Sequence, residues 1–193
     1  MDIHHLLNYL GGLFPLTHGY PVALAKVTQY RLAGHKEKLL EPPSRAFFVW
    51  FLMSGIVSAS IFDKEGKEVV IRIYLPPVVF TDLNSFLHNK PSALLLRVLG
   101  SAELQYISLT DFRDNLLPFS ETQELREQIM LQDQLLDQQR SGLLSLTESH
   151  RFVEFAGLYP MDQIPNVTAA SFLNMGTSKY CTLKADWNAS SKR

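Results

Sequence analysis

Apolar residues in the first forty positions recur at helical spacing. Leu6, Leu7, Leu10 and Leu13 form one series, Gly11, Gly12 and Pro15 interrupt it, and Val22 to Leu32 resume it up to Gly34. From Lys38 the texture changes to short apolar runs cut by turn residues. Residues 39–40 precede Pro42-Pro43-Ser44, 46–53 precede Ser54-Gly55, 56–62 precede the polar stretch 63–66, and 69–75 precede Pro76-Pro77; runs at 78–80, 93–99 and 103–107 follow. Such runs, at roughly 8–12-residue spacing, predict about seven strands of a sandwich or barrel rather than a parallel sheet. The stretch 63–66 predicts a hairpin of two imperfectly alternating strands, the second presenting Val69, Ile71 and Ile73 on one face and Val70, Arg72 and Tyr74 on the other.

Helical spacing returns near Thr110, with a short helix over 112–117 ended by Pro118. Ser120 with Gln123 three residues later forms a capping-box pattern that opens a long helix to about Arg140. Leu125, Ile129, Leu136 and Leu143 fall on one stripe of it, and Gln132 and Gln139 complete an imperfect heptad seam. The seam fits either a helix packed on its own domain or a dimer helix supported at both ends. Ser141-Gly142 is a hinge candidate, and Thr147-Glu148 opens another helix to about Leu158. After Ile164-Pro165, residues 167–173 and 177–187 give two short helices parted by Asn174-Met175-Gly176, which is the spacing of a helix-turn-helix.

Composition narrows the function classes. A net charge of −1 rules out a protein coated in basic residues, so nucleic-acid contact would need local clustering or two copies acting together. Within the last eighteen residues Lys179, Lys184, Lys192 and Arg193 face only Asp186, so the positive end coincides with the last helix and tail. The single cysteine, Cys181, excludes an internal disulfide and a Cys-rich metal or cluster site, and suits a reducing cytoplasm. No signal-like start and no run near the ~18 apolar residues of a membrane span point the same way, to a cytoplasmic chain without a membrane partner. His4, His5, His18, His35, His88 and His150 lack metal-site spacing, and only His88 falls within the strand region 44–108. A cupin-type metalloenzyme is therefore not expected, and no nucleophile–base cluster suggests other catalysis.

Taken in order, the elements resemble the Crp/Fnr family of bacterial transcription regulators over nearly the whole chain. The stretch 52–57 (Leu-Met-Ser-Gly-Ile-Val) resembles the family's "sGxv" turn, and 63–68 its "dG-e" hairpin. Phe80-Thr81-Asp82-Leu83 falls where the phosphate-binding cassette has Phe-Gly-Glu-Leu, and 101–108 resembles the strand after the cassette. Ile164-Pro165 followed by 169–175 resembles the "vP…iAsyLGi" signature. The resemblance implies an α+β fold: N-terminal helices with a double-stranded β-helix (jelly-roll, cyclic-nucleotide-binding-like) sensor over 1–119, a dimerisation helix over 120–141, and a helix-turn-helix DNA-binding domain over 142–193. It also implies a homodimer that binds palindromic double-stranded DNA, with a small effector in the roll biasing the orientation of the paired helix-turn-helix modules.

The same resemblance nominates effector residues Phe80, Thr81, Asp82, Leu83, Asn84, Ser85, Pro91, Ser92 and Ala93, with Lys90 and Arg97 as the nearest basic groups. Family members that bind cyclic AMP pair the cyclic phosphate with an arginine of an "RSA"-like triplet. Here the triplet reads Pro91-Ser92-Ala93, which offers no charge to a buried phosphate, so cyclic AMP held by that clamp is not expected. The effector is another small molecule, still unidentified, or the roll is filled by its own side chains. Alternation allows Arg97 to point inward or outward. On the DNA side the resemblance nominates Thr177, Ser178, Lys179, Thr182 and Lys184. Thr182 stands where an arginine is usual, which removes a guanine reader worth about 1–3 kcal/mol of discrimination. Asn174 replaces the turn glycine and tolerates the left-handed conformation better than most residues. Residues 188–193 read as a basic tail with no wing hairpin. The alternative is a dimeric interaction or ligand-binding protein that has lost sequence-specific DNA binding.

Overall fold

A computed structural model describes residues 3–190. Helices α1 (His4–Leu13) and α2 (Gly19–Val27) precede strands β1 (Gln29–Ala33), β2 (Lys38–Leu40), β3 (Phe48–Ser54), β4 (Val57–Phe62), β5 (Glu68–Tyr74) and β6 (Val78–Phe80). Helix α3 (Leu83–His88), strands β7 (Leu95–Val98) and β8 (Ala102–Ser108), and α4 (Leu109–Asp111), which runs on as a π-helical turn over Phe112–Leu116, complete the first part. Then come α5 (Ser120–Leu144), α6 (Glu148–Leu158), α7 (Asn166–Phe172) and α8 (Thr177–Ser190). The strands form two four-stranded antiparallel sheets, ordered β1-β8-β3-β6 and β2-β7-β4-β5, folded face to face as a roll.

Strand alternation sorts the side chains into three cores. Trp50, Leu52, Phe80 and Leu104 of the first sheet meet Ala59, Leu96 and Val98 of the second inside the roll. Phe51, Val79 and Ile107 turn the other way and are covered by Leu6, Leu10 and Leu24 of α1 and α2 and by Leu125 of α5. On the far side, Ile56, Val70, Ile73 and Leu99 of the second sheet share a core with Phe152, Phe155, Ala169, Phe172 and Tyr180 of α6–α8. The C-terminal helices are thus docked on the roll of their own chain.

Four local expectations need correction. Residues 29–33 form β1 rather than extending a helix: α2 stops at Val27, and the five residues pair with β8 from Gln29↔Tyr106 to Ala33↔Ala102. The apolar side chains Tyr30 and Leu32 remain exposed there, so burial left no period-2 signature. Strand β5 does not alternate strictly, because Ala59 pairs with Arg72 while Ser60 pairs with Val70, leaving Ile71 as a bulge. Val70 and Ile73 therefore face the helices together, and Ile71 and Tyr74 face the roll interior. Helix α5 has Phe119 at its N-cap with no side-chain cap; the Ser120 hydroxyl goes to the Glu121 carboxylate (3.2 Å) instead. Ser141 and Gly142 lie within α5, and the break before α6 falls at 145–147.

Gly55 is required where β3 turns into β4. Its φ is +89°, and a Cβ there would collide with the Ser101 carbonyl and Ala102.

The start of α5 is tied to the N-terminal helices by the buried Glu121, which accepts from the Thr17 backbone N–H (3.0 Å) and the Thr17 hydroxyl. These bonds, the Thr17 hydroxyl first, hold its carboxyl down at about 2 against an ordinary 4.5. A lowered folded-state value gives stability that is present above about 4.5 and lost as pH falls towards 2. Glu121→Gln should flatten that acid limb of the unfolding free energy; an unchanged slope between pH 5 and pH 2.5, measured by urea titration, would refute the assignment.

Candidate functional site

The cassette between β6 and β7 is closed by its own hydrogen bonds. Asp82 is the N-cap of α3: one carboxylate oxygen accepts from the Ser85 N–H (3.0 Å), and the other accepts from the Ser92 hydroxyl (2.6 Å). The Ser85 hydroxyl donates to the Lys90 carbonyl (2.5 Å) and accepts from the Ala46 N–H (2.8 Å), and the Thr81 hydroxyl donates to the Phe48 carbonyl (2.8 Å). Ser92 also accepts from the Leu94 N–H (2.9 Å). Thr81, Asp82, Ser85 and Ser92 are therefore brought together, but their polar atoms bind one another and the backbone.

The remaining cassette nominees are dispersed. Phe80 is buried in the roll interior, stacked on Tyr74 with ring centroids 4.9 Å apart. Asn84, Lys90, Pro91 and Ala93 are exposed, and Leu83 is half-buried beside α5. Leu96 and Val98 point inward, so Arg97 points outward, and there it pairs with Glu68 of β5 (2.9 Å). It is thus not an effector ligand within the roll. With Trp50, Phe80, Phe86 and Leu104 buried there, the space left is a recess of about 280 Å3 at the end nearest β2, walled partly by Phe48, Trp50, Thr81 and Leu96.

All six seam residues of α5 make contacts within their own chain, although Gln139 stays largely exposed. Leu125 and Ile129 pack with α1 and α2, Leu136 packs on the roll interior, and Leu143 joins the α6–α8 core. Gln132 accepts from the Tyr9 hydroxyl, and Gln139 accepts from the Tyr159 hydroxyl (3.2 Å). Of the two readings of that stripe, packing on its own domain is the observed one; the dimer-seam assignment is withdrawn because these side chains are already engaged.

Two charged clusters with no sequence motif hold the parts together. Arg72 of β5 donates to both oxygens of Asp137 on α5 (2.7 and 2.6 Å) and to Asp133 one turn earlier (2.9 Å), whose other oxygen accepts from the Tyr74 hydroxyl (3.4 Å). Burial works against the guanidinium's charge, but the Asp137 bond, with Tyr74 and Asp133 beside it, keeps the pKa above the ordinary arginine value. The second cluster is one side chain, Arg151 of α6. It donates to the carbonyls of Leu143, Leu144 and Leu146 at the end of α5 and of Leu173 and Asn174 at the end of α7, at 2.6–3.4 Å. An arginine embedded in the apolar strand 69–75 and an Asp pair at i, i+4 on α5 were the only signs in the chain of the first cluster. The second joins carbonyls thirty residues apart and leaves no local sign.

In the C-terminal part, α7 and α8 are joined by a tight turn with Asn174 in the left-handed conformation (φ 49°). Ala169, Ala170, Phe172 and Tyr180 are buried, while Thr177, Ser178, Lys179 and Thr182 at the start of α8 are exposed. Thr182 bonds back to the Ser178 carbonyl (3.1 Å). Lys184 differs from expectation. Its side chain is 17% exposed, and its ammonium donates to the Met161 carbonyl (2.8 Å) and sits 3.7 Å from Asp162, so it holds the 159–166 loop rather than facing outward. Lys192 and Arg193 lie outside the described residues.

Among the described residues no group of His, Cys, Asp and Glu is placed to hold a metal, and no helix is long and apolar enough to cross a membrane.

No protein-family model and no curated sequence matches this chain. Solved structures do. The c-di-GMP-responsive global regulator CLP of Xanthomonas campestris matches at 15% identity and a TM-score of 0.68 over 91% of this chain and 93% of that one. FixK2 of Bradyrhizobium japonicum matches at 11% identity and 0.71 over 86% of each chain, and the catabolite activator protein of Thermus thermophilus at 16% and 0.56 over 94% and 87%. These structural neighbours are Crp/Fnr family regulators with a cyclic-nucleotide-binding fold, and this chain shares that fold.

Proposed function

We propose that the chain is a DNA-binding transcription regulator of the Crp/Fnr type, working as a homodimer. The observation that carries this is the pair α7 and α8: its inner residues are buried and its outer first turn, Thr177, Ser178 and Lys179, is polar and open, on a fold shared end to end with regulators. Read as a helix-turn-helix, α8 is the recognition helix. The mate-facing stripe of α5 lies roughly 110° round the helix from the stripe packed on its own chain, where Leu131 and Leu135 are 48% and 53% exposed and Gln138 and Gly142 continue the 4-3-4 spacing. The proposed switch does not use the Arg/Glu nucleotide clamp, because Asp82 is spent on Ser85 and Ser92 and Pro91 stands where the clamp's arginine would be.

The test is selection of genomic fragments by the purified full chain. Palindromic fragments should be retained, with affinity falling steeply as salt rises. Leu131→Asp with Leu135→Asp should give a monomer with at least tenfold weaker retention, and Lys179→Ala, which removes one phosphate contact from each protomer, should reduce the salt slope by about 2. Retention of no fragment at low salt, with or without cell extract, would end the reading. A second reading, a dimer that binds a partner other than DNA, is favoured by the charge distribution. Lys184 and Arg151 are used internally, leaving Lys179 as the free cation of α8 among the described residues. The same selection separates the two.

A further inference from the structure

The packing of α1, α2 and α5 over the first sheet leaves a cavity of about 80 Å3 that no motif explains. Its lining is almost wholly apolar, with Leu6, Leu24, Phe51, Ile107, Leu125 and Ile129 among the walls. None of Thr81, Asp82, Ser85 or Ser92 reaches it, so it is separate from the cassette. Leu87, Phe112 and Arg126 line the cavity and also an adjoining surface groove of about 390 Å3, whose other members include His88, Arg113, Leu117 and Met130. Cavity and groove therefore meet at Arg126, beside the π-helical turn that carries Phe112.

Two features of this junction call for a ligand. Neither Arg126 nor Arg113 has a hydrogen bond or ion pair with any described residue, although Arg126 is half-buried. A guanidinium taken partly out of water without a partner is unfavourable, and its planar fork matches a carboxylate. Next to it is an almost wholly apolar space, and such spaces accept hydrocarbon rather than water.

We propose that cavity and groove form a binding site for a medium-chain monocarboxylate, its carboxylate on Arg126 with Arg113 nearby and its tail in the cavity. The cavity is about half the 150 Å3 that holds benzene in an engineered case, so it takes about three or four terminal carbons. The carbons nearer the head group lie along Leu117 and Met130 in the groove, which gives a chain of roughly six to ten carbons. This is a statement about binding alone and stands whether or not the chain reads DNA.

Calorimetry and thermal melting of the full chain with octanoate test it. Octanoate should bind saturably and raise the melting temperature, at least tenfold more tightly than butanoate, which lacks the tail, and than 1-octanol, which lacks the charge. Arg126→Gln should weaken octanoate at least tenfold while leaving octanol unchanged, a comparison that controls for folding. Equal binding of octanoate and octanol, an Arg126→Gln protein that binds octanoate as well as the parent, or no saturable binding at millimolar octanoate would each overturn the proposal.

Discussion

Replacing Arg151 with alanine is expected to cost about 3 kcal/mol of stability, the loss falling on the helical third of the chain. Among the described residues the side chain is the only one donating to carbonyls at the ends of both α5 and α7, and helix C-termini have several carbonyls without intrahelical partners. Five contacts do not add as five independent bonds. Water can reach the Asn174 carbonyl, while Leu173 is fully buried and its 2.6 Å bond is the shortest of the set. Truncation leaves that acceptor unmet and removes positive charge from two helix C-termini at once. For a chain of this length, such a loss lowers the melting temperature by roughly 6–12 °C. Arg151→Lys should recover less than half of it, because one ammonium cannot fork between two helix ends. A melting temperature within 1 °C of the parent for the alanine variant would show that the clamp is not structural.

Arg151 also shows where reading the chain reaches its end. The order of elements is legible because short apolar runs and turn residues carry it: the hairpin at 63–66, the left-handed Asn174 and the buried face of α7 are each encoded within a few residues. Strand β1 is not, since Tyr30 and Leu32 stay exposed and backbone pairing with β8 alone makes it a strand. The stripe on α5 is legible as an apolar face, but a sequence does not say what an apolar face meets; here Leu125, Leu136 and Leu143 each enter a different core of the same chain. The cassette is half legible. Losing the arginine from the triplet is visible in Pro91-Ser92-Ala93, whereas the Ser92–Asp82 bond that closes the site depends on how the 89–94 loop folds back. Lys184 fails for a related reason: its place on α8 is right for an outward cation, but the 159–166 loop supplies a carbonyl within reach.

Arg72→Met should be about as costly as the loss of Arg151, for a different reason. Removing one member of a buried ion pair leaves an uncompensated charge, worth about 3–5 kcal/mol when both partners are dry. Asp133 is 16% exposed and Asp137 52%, so the second can rehydrate and the lower end of that range, about 3 kcal/mol, is expected. The pH dependence identifies the cause. Burial already pushes the Asp133 carboxyl up from its ordinary value despite the guanidinium, and in the methionine variant only the long Tyr74 hydrogen bond is left to oppose that push. A raised folded-state value means stability that is present below the unfolded value and lost as pH rises through the folded one. The deficit of Arg72→Met should therefore be largest at pH 7 and shrink as pH falls and Asp133 takes up its proton. Adding Asp133→Asn should restore at least 1 kcal/mol at pH 7 and progressively less as pH falls. A deficit independent of pH would assign the loss to packing of the arginine stem. Since β5 also carries the Val70 N–H that donates to the Ser171 hydroxyl of α7 (3.0 Å), a weakened hold of α5 on β5 should reach α7. Amide exchange at 168–172 is then expected to quicken in Arg72→Met, while exchange in β3 and β8 on the opposite sheet stays as in the parent.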